Sequence, residues 1–474
     1  MNKILITTAI DYVNDIIHVG HAYQKIMADT LARYYREVLG KQNVYFLTGT
    51  DENGAKALEA ANAAGKDVKE FVDSISAADK KEQDSLNISY DRFIRTTDSD
   101  HVETVIDFWN RVAKNDKDIY LGDFKGQYCR DCEAFKTASE IKDGYCLIHP
   151  KTKLESVTEK NYFFAWKKYI PFLKERIKTN PNFVLPESRR NETLAFVDKI
   201  EDITISRRKE AVPWGIEVPG DPTQVIYVWF DALINYLTAG IQKGFWDENT
   251  KIIHILGKDN LRWHALLWPA MLKSAGYTLP TTIYAHGFLT LDGQKISKSI
   301  GNVIRPTELV EKYGTDPVRY YLLRYTSPED DNDISLEKLE NAYNSDLANG
   351  LGNLVSRVAK LCETVDLEVR TKDKREDFPA EYKKAIEELR FQDALTIIWQ
   401  KITKVDQQID QEKPWELVNK DVQKAKAVLT NLVEQIREIQ TLLIPFLPET
   451  AEKISKQFAG PKIKSEKPLF PRIK

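Results

Sequence analysis

The sequence predicts an α/β protein: a doubly wound, Rossmann-like parallel sheet, split by a cysteine-bearing insertion and followed by an α-helical bundle. Three observations carry this. Short apolar runs rich in β-branched residues alternate with helical periods over the first ~110 residues, as in a parallel sheet. From about Asp116 the alternation breaks into short Gly- and Cys-bearing pieces before strand character returns near Val225. After Ser335 only long helical periods remain.

The first strand is expected from Lys3 to Thr8. After a polar turn at Asn14 and Asp15, Tyr23, Met27, Leu31, Tyr34 and Val38 share one helical face that stops at Gly40. A second strand is expected at 44–48 and a further helix from Gly54 to Ala64. The insertion runs through His149, an aromatic segment at 162–166 and a mixed stretch with Pro213 and Pro219. Strands at 225–230 and 252–256, each followed by a helical stretch, are where the sheet should resume. Leu395, Ile398, Ile402, Val405 and Ile409 then repeat at three- and four-residue steps, the seam of a bundle. The charged stretch 370–376 reads as a solvated loop. The resulting domains are 1–115 and 225–273 (the two sheet halves), 116–224 (insertion), 274–335 (a connecting region) and 336–474 (bundle).

With 474 residues, 42% of them hydrophobic and 29% charged, the chain can build several cores, which excludes intrinsic disorder as its main state. No apolar run reaches the ~18 residues of a membrane span, and the first residues are too short a run for a signal peptide, so a cytoplasmic location is expected. Four cysteines cannot staple so long a chain, and three of them cluster, which points to metal. A net charge of −3 leaves nucleic acid to be met by local patches.

His18-Val19-Gly20-His21 lies between the first strand and first helix, where a parallel sheet binds phosphate-bearing ligands. Two imidazoles with a glycine between them can donate to phosphate oxygens as charge builds in a transition state. Lys295-Ile296-Ser297-Lys298-Ser299, flanked by Gly293 and Gly301, places two lysines and two hydroxyls on a loop suited to clamping a triphosphate. Either motif alone reads equally as a polar loop. Together they resemble the two signature motifs of class I aminoacyl-tRNA synthetases.

Cys129-x2-Cys132, thirteen intervening residues, then Cys146-x2-His149 supplies three thiolates and an imidazole, a closed tetrahedral set for one structural zinc per chain. Cys362 stands alone in a helical period and reads as core.

Longer blocks resemble methionyl-tRNA synthetases over nearly the whole chain: Tyr12-Val13-Asn14, the run 49–54 (GTDENG), 86–91 with 93–97, 227–233 (YVWFDAL), Gly257-Lys258-Asp259 and Ala285-His286-Gly287. The resemblance implies methionine activation by ATP, with Mg2+, and transfer to initiator and elongator tRNA-Met. His18, His21, Lys295 and Lys298 would be the catalytic groups, with Gly20, Asp259, Ser297 and Ser299 at ATP. Asp51 would hold the methionine ammonium and pair with Arg207. Ile10, Tyr12, Trp229, Ala232, Leu233, Tyr236 and His264 would line the side-chain pocket, while Trp263 and Trp268 read as core. Asn353, Arg357 and Trp415 resemble the family's anticodon readers. Family dimers rely on an extra C-terminal tRNA-binding domain that is not expected here, so a monomer is expected.

Two rival readings remain: another class I synthetase, of cysteinyl or leucyl type, and a non-catalytic tRNA-binding paralogue. The chain departs from the family at Asp11 and Asp15, expected to make the loop before His18 more acidic. It departs again at Asn260, where isoleucine is common; Asn260 either meets the methionine side chain or caps a helix.

Overall fold

The computed structural model describes residues 2–473 except 116, 133, 137–139, 211, 298–299 and 372–376. Lys298 and Ser299, and most of the charged stretch 370–376, therefore lie outside the described residues. The chain divides into two compact units: Met1–Ile17, Leu39–Glu82 and Tyr90–Gly287 form one, and His18–Val38, Gln83–Ser89 and Phe288–Lys474 the other.

The first unit is built on a seven-stranded sheet whose pairings are all parallel. Its order is Val184–Leu185, Thr282–His286, Thr250–Gly257, Lys3–Thr8 and Val44–Asp51, the last pairing with both Asp11–Tyr12 and Arg92–Arg95. The β-branched run Lys3–Thr8 is buried from Ile4 onward because it is central, with Thr250–Gly257 on one side and Val44–Asp51 on the other. Gly49 is required where Val44–Asp51 meets Arg92–Arg95: a Cβ there would lie 1.9 Å from the Ile94 carbonyl oxygen.

The insertion carries a four-stranded antiparallel sheet, ordered Ile203–Thr204, Glu155–Phe164, Ile119–Cys129 and Ala134–Lys136. Val184–Leu185, from within the stretch 116–224, nevertheless runs at the edge of the main sheet. The expected strand at 225–230 is corrected. Asp221–Ile226 is a strand of a separate antiparallel sheet with Ser206–Arg208 and Glu217–Val218, and Val228–Leu233 is a helix. A short run of β-branched and aromatic residues does not distinguish a buried strand from a buried helical turn. The main sheet resumes instead at Thr250–Gly257.

In the second unit, helix Val19–Leu39 follows the predicted period, and Gly40 ends it at φ 86°; Val38, at 41% exposure, is off the buried face. Phe391–Glu412 buries all five residues of the predicted seam. A π-helical segment, Tyr343–Gly352, leads directly into Asn353–Thr364. Asp29 on Val19–Leu39 and Arg319 on Thr315–Arg324 are both fully buried and meet at 2.7 Å. Arg33 and Ser89 also donate to Asp29, and Arg319 donates to the carbonyls of Leu86, Pro445 and Phe446. Burial alone would raise the Asp29 carboxyl, but Arg319, Arg33 and Ser89 hold it below the ordinary carboxylate range.

Removing one partner of such a pair strands a buried charge. Arg319→Met is expected to cost about 3–5 kcal/mol in denaturant unfolding, and adding Asp29→Asn to recover part of that loss.

Candidate active site

At the carboxyl edge of the main sheet, the Asp11–Tyr12 strand pairs with the end of Val44–Asp51, setting Tyr12 opposite Asp51. Tyr12 stands edge-on to Trp229, with ring centroids 6.3 Å apart, and Lys56 Nζ lies 4.8 Å from the Tyr12 ring. Trp229, in the first turn of the helix Val228–Leu233, stacks at 4.6 Å on Trp263, which is buried in the core as expected. Ala232, Leu233 and Tyr236 are buried on this helix and the next, Asn235–Lys243. Ile10 packs against the same core.

The Tyr236 hydroxyl lies 2.7 Å from His264 Nε2, while His264 Nδ1 lies 2.9 Å from the Asn260 carbonyl oxygen. A carbonyl can only accept, so Nδ1 carries the hydrogen and Tyr236 donates to Nε2. Burial holds the His264 imidazole down to about 4. A second buried imidazole, His254, accepts from Trp268 at 3.3 Å and faces Thr7 Oγ1 at 2.6 Å; burial, with His264, holds it well below its ordinary value. Burial also raises the Tyr236 phenol, as do the Asp51 and Asp11 carboxylates, which places both acids in its field. Asp11 is 6% exposed on its strand, so it adds no exposed charge to the loop before His18; Asp15 accepts from the Ile16 amide.

The backbone around Asp51 is held by buried polar partners. Glu52 receives Arg95 at 2.6 and 2.9 Å, and Asn53 donates to Asp231 at 2.7 Å, which in turn holds His101 at 2.7 Å. The GTDENG block contained this signal, but its partners lie up to 178 residues away. Arg207 donates to Thr204 Oγ1 and the Ser206 carbonyl, and its guanidinium covers the Tyr227 ring at 3.9 Å, just before the Trp229 helix. Gly257 leaves room for Asp259, whose carboxylate oxygen would be 2.7 Å from a Cβ there; Asp259 is exposed. The N-cap positions of the adjoining turns, Lys258–Asn260 and Trp263–Leu267, are Gly257 and Arg262, so Asn260 is the N-cap of neither.

In the second unit, the Gly20 amide donates to His18 Nδ1 at 3.0 Å and the His18 amide to His21 Nδ1 at 3.2 Å. Both Nδ1 atoms are thus acceptors, and each ring carries its hydrogen on Nε2. A Cβ at Gly20 would lie 2.8 Å from His18 Cε1, so any larger residue would have to displace the His18 ring from this position. Val19 is tied to the Ile304 carbonyl at 3.0 Å. Lys295 is exposed on the hairpin Leu289–Leu291/Gln294–Lys295, turned at Asp292 and Gly293 with positive φ. Asn302 closes the loop behind it by accepting from the Ser297 amide and donating to the Lys295 carbonyl. Asn353 is exposed; one turn on, Arg357 lies 4.6 Å from the Trp415 ring and 3.2 Å from Asp410.

The insertion brings Cys129, Cys132, Cys146 and His149 together with all ligand atoms within 4.8 Å of one another. Three sulfurs and one nitrogen at such spacing fit the edges of a tetrahedral site, so this cluster can hold a metal ion.

The family description "tRNA synthetases class I (M)" matches residues 4–149 and 136–359. Methionine–tRNA ligases of Caldanaerobacter subterraneus and Thermotoga maritima are 39% and 41% identical, over 99% and 95% of this chain and 78% and 74% of theirs. Among solved structures, Mycobacterium tuberculosis methionyl-tRNA synthetase in complex with methionyl-adenylate superposes with a TM-score of 0.90 at 35% identity, covering 100% of both chains. The apo form of that enzyme gives 0.83 at 32% identity.

His264 is neutral in the fold and becomes charged in the unfolded chain below about pH 6.5, so the unfolded state binds more protons between about pH 4 and 6.5. Stability should therefore fall as pH drops through that window, by about 3 kcal/mol at pH 4 from this group alone. Denaturant unfolding of His264→Gln should show a slope shallower by roughly one proton.

Proposed function

The chain belongs to the methionine–tRNA ligases of the class I tRNA synthetases, and on that premise we propose how its residues divide the reaction. A methionine carboxylate oxygen attacks the α-phosphorus of ATP and pyrophosphate leaves. The 3′-terminal ribose hydroxyl of the tRNA then attacks the methionyl carbonyl and AMP leaves. Both steps need charge neutralisation and alignment rather than a protein nucleophile. Methionine, ATP with Mg2+ and initiator and elongator tRNA-Met are the ligands, and the cytoplasm is the compartment.

The buried Tyr236–His264 pair, with Asp51 in the field of the Tyr236 phenol, carries the reading. Asp51 receives the methionine ammonium, with Arg207 as its ion-pair partner. Ile10, Tyr12, Trp229, Ala232, Leu233, Tyr236 and His264 enclose the thioether, a flexible, polarizable group suited to aromatic and aliphatic walls. Nε2–H of His18 and His21 donates to phosphate oxygens. Lys295 and Lys298 neutralise the departing pyrophosphate, with Gly20, Ser297 and Ser299 close to the triphosphate and Asp259 toward the nucleoside. Asn353, Arg357 and Trp415 read anticodon bases by edge hydrogen bonds and stacking; the Arg357–Trp415 contact supplies a partly exposed planar platform. The Cys129, Cys132, Cys146 and His149 set holds one zinc ion, which supplies structural cross-linking to the insertion and no open coordination position for chemistry.

Methionine-dependent exchange of pyrophosphate into ATP tests the whole scheme, and its absence in purified protein would overturn it. Within it, Trp415→Ala should leave exchange intact while slowing charging of tRNA-Met more than about fivefold, the worth of one stacked base. A parallel fall in exchange would assign the tryptophan to packing.

Asn260, on this reading, meets the methionine side chain. Asn260→Ile should lower the KM for methionine by about fivefold, equivalent to ~1 kcal/mol of apolar contact, with the KM for ATP unchanged. Reduced thermal stability with unchanged methionine kinetics would restore the capping role.

A further inference from the structure

Outside the residues already assigned, one chain of contacts in the sheet unit runs from the cysteine knuckle to the aromatic wall. Glu140 is fixed by the knuckle itself. Its carbonyl accepts from the Leu147 amide at 3.0 Å, and the adjoining Ile141 pairs with Cys146 in the hairpin Ile141–Lys142/Tyr145–Cys146. Its carboxylate lies 3.8 Å from Lys136 Nζ, whose side chain is fully buried and whose ammonium makes no hydrogen bond among the described residues. The same carboxylate oxygen receives Arg262 Nη1 at 3.0 Å, from 122 residues away. The Arg262 guanidinium lies 4.6 Å from the Trp263 ring, Trp263 stacks at 4.6 Å on Trp229, and Trp229 meets Tyr12. Arg262 also precedes His264 by two residues, on the segment whose Asn260 carbonyl orients that imidazole.

We propose that Glu140 is a positioning residue for methionine: held by the metal-ligand hairpin, it anchors Arg262 and thereby the Trp263–Trp229 stack that walls the amino-acid pocket. The inference rests on the methionine-pocket reading above and extends it to the knuckle, which then contributes to amino-acid binding. An ion pair about one-quarter exposed is worth little by itself. Here it also fixes a cation against an indole, which adds a directional contact.

Methionine binding to the metal-replete protein, followed by tryptophan fluorescence, together with pyrophosphate-exchange kinetics, tests this. Glu140→Ala should raise the Kd and KM for methionine about fivefold, with the KM for ATP within about twofold of its starting value and the metal content retained. Arg262→Gln should do the same, the double variant should be no worse than either single one, and Glu140→Asp should recover part of the loss. Trp229→Ala separates the two layers of the argument. If it weakens methionine binding and Glu140→Ala does not, the anchoring role is overturned and the pocket stands. If neither weakens it, the pocket reading falls and this inference with it. Equal losses toward methionine and ATP with a lower thermal midpoint would also overturn it, as general structural damage. Should Glu140→Ala fail to fold, Arg262→Gln decides on the same criteria.

Discussion

The buried Asp29 carboxylate constrains the second unit more than any other group. With no solvent around it, its charge is balanced by Arg319 and Arg33 and its remaining lone pairs by Ser89. Arg319, equally buried, spends its other donors on the carbonyls of Leu86, Pro445 and Phe446. One ion pair thus fixes the helix that carries His21 against the close of the long helix Val422–Leu443 and the loop at 86–89. His21 sits eight residues before Asp29 on that rigid helix, and its orientation follows from packing rather than from a loop. The backbone then finishes the work at the ring level: amides of Gly20 and His18 set both tautomers, and the absence of a Cβ at Gly20 leaves the His18 ring in contact with its own turn.

The sheet unit follows a different logic. Two of its buried polar side chains, Tyr236 and His264, are committed to one another. Tyr236 gives its proton to His264, and His264 gives its own to a main-chain carbonyl, while burial keeps the imidazole neutral across the physiological range. A hydroxyl whose proton is committed offers a ligand no donor, so that corner suits a side chain asking for none, as a thioether does. The neighbouring acids are paired in turn: Glu52 with Arg95, and Asp231 with Asn53 and His101.

What could be read from the sequence was local. The strand–helix alternation at the start, the glycine stop at Gly40, the seam from Leu395 to Ile409 and the Cys/His cluster are set by neighbours a few residues apart, and each is found. The site was legible only as residue types in family-like blocks; their geometry was not. The run at 225–230 failed because short apolar segments serve strand and helix alike, and the antiparallel partners that decided it lie elsewhere in the chain. Trp263 read as core and is buried in the core, but nothing nearby in the sequence marks its stack on Trp229 or the arginine beside it. The Asp29–Arg319 and Glu140–Arg262 pairs leave no trace in periodicity, since ion pairing depends on contact and not on spacing.

The distinction between what the backbone fixes and what the side chain is free to do bears most on Asn260. His264 is oriented by the carbonyl of residue 260, an atom every amino acid supplies, so that hydrogen bond places no demand on the side chain there. Nor is Asn260 the N-cap of either adjoining turn. Substitution at this position is therefore cheap for the fold, and its consequence falls on whatever occupies the neighbouring space. On the proposed reading, a carboxamide here brings two donors and an acceptor toward the amino acid. Under the proposed assignment, a position whose side chain the fold leaves uncommitted is where a change of residue would act on the amino acid rather than on folding.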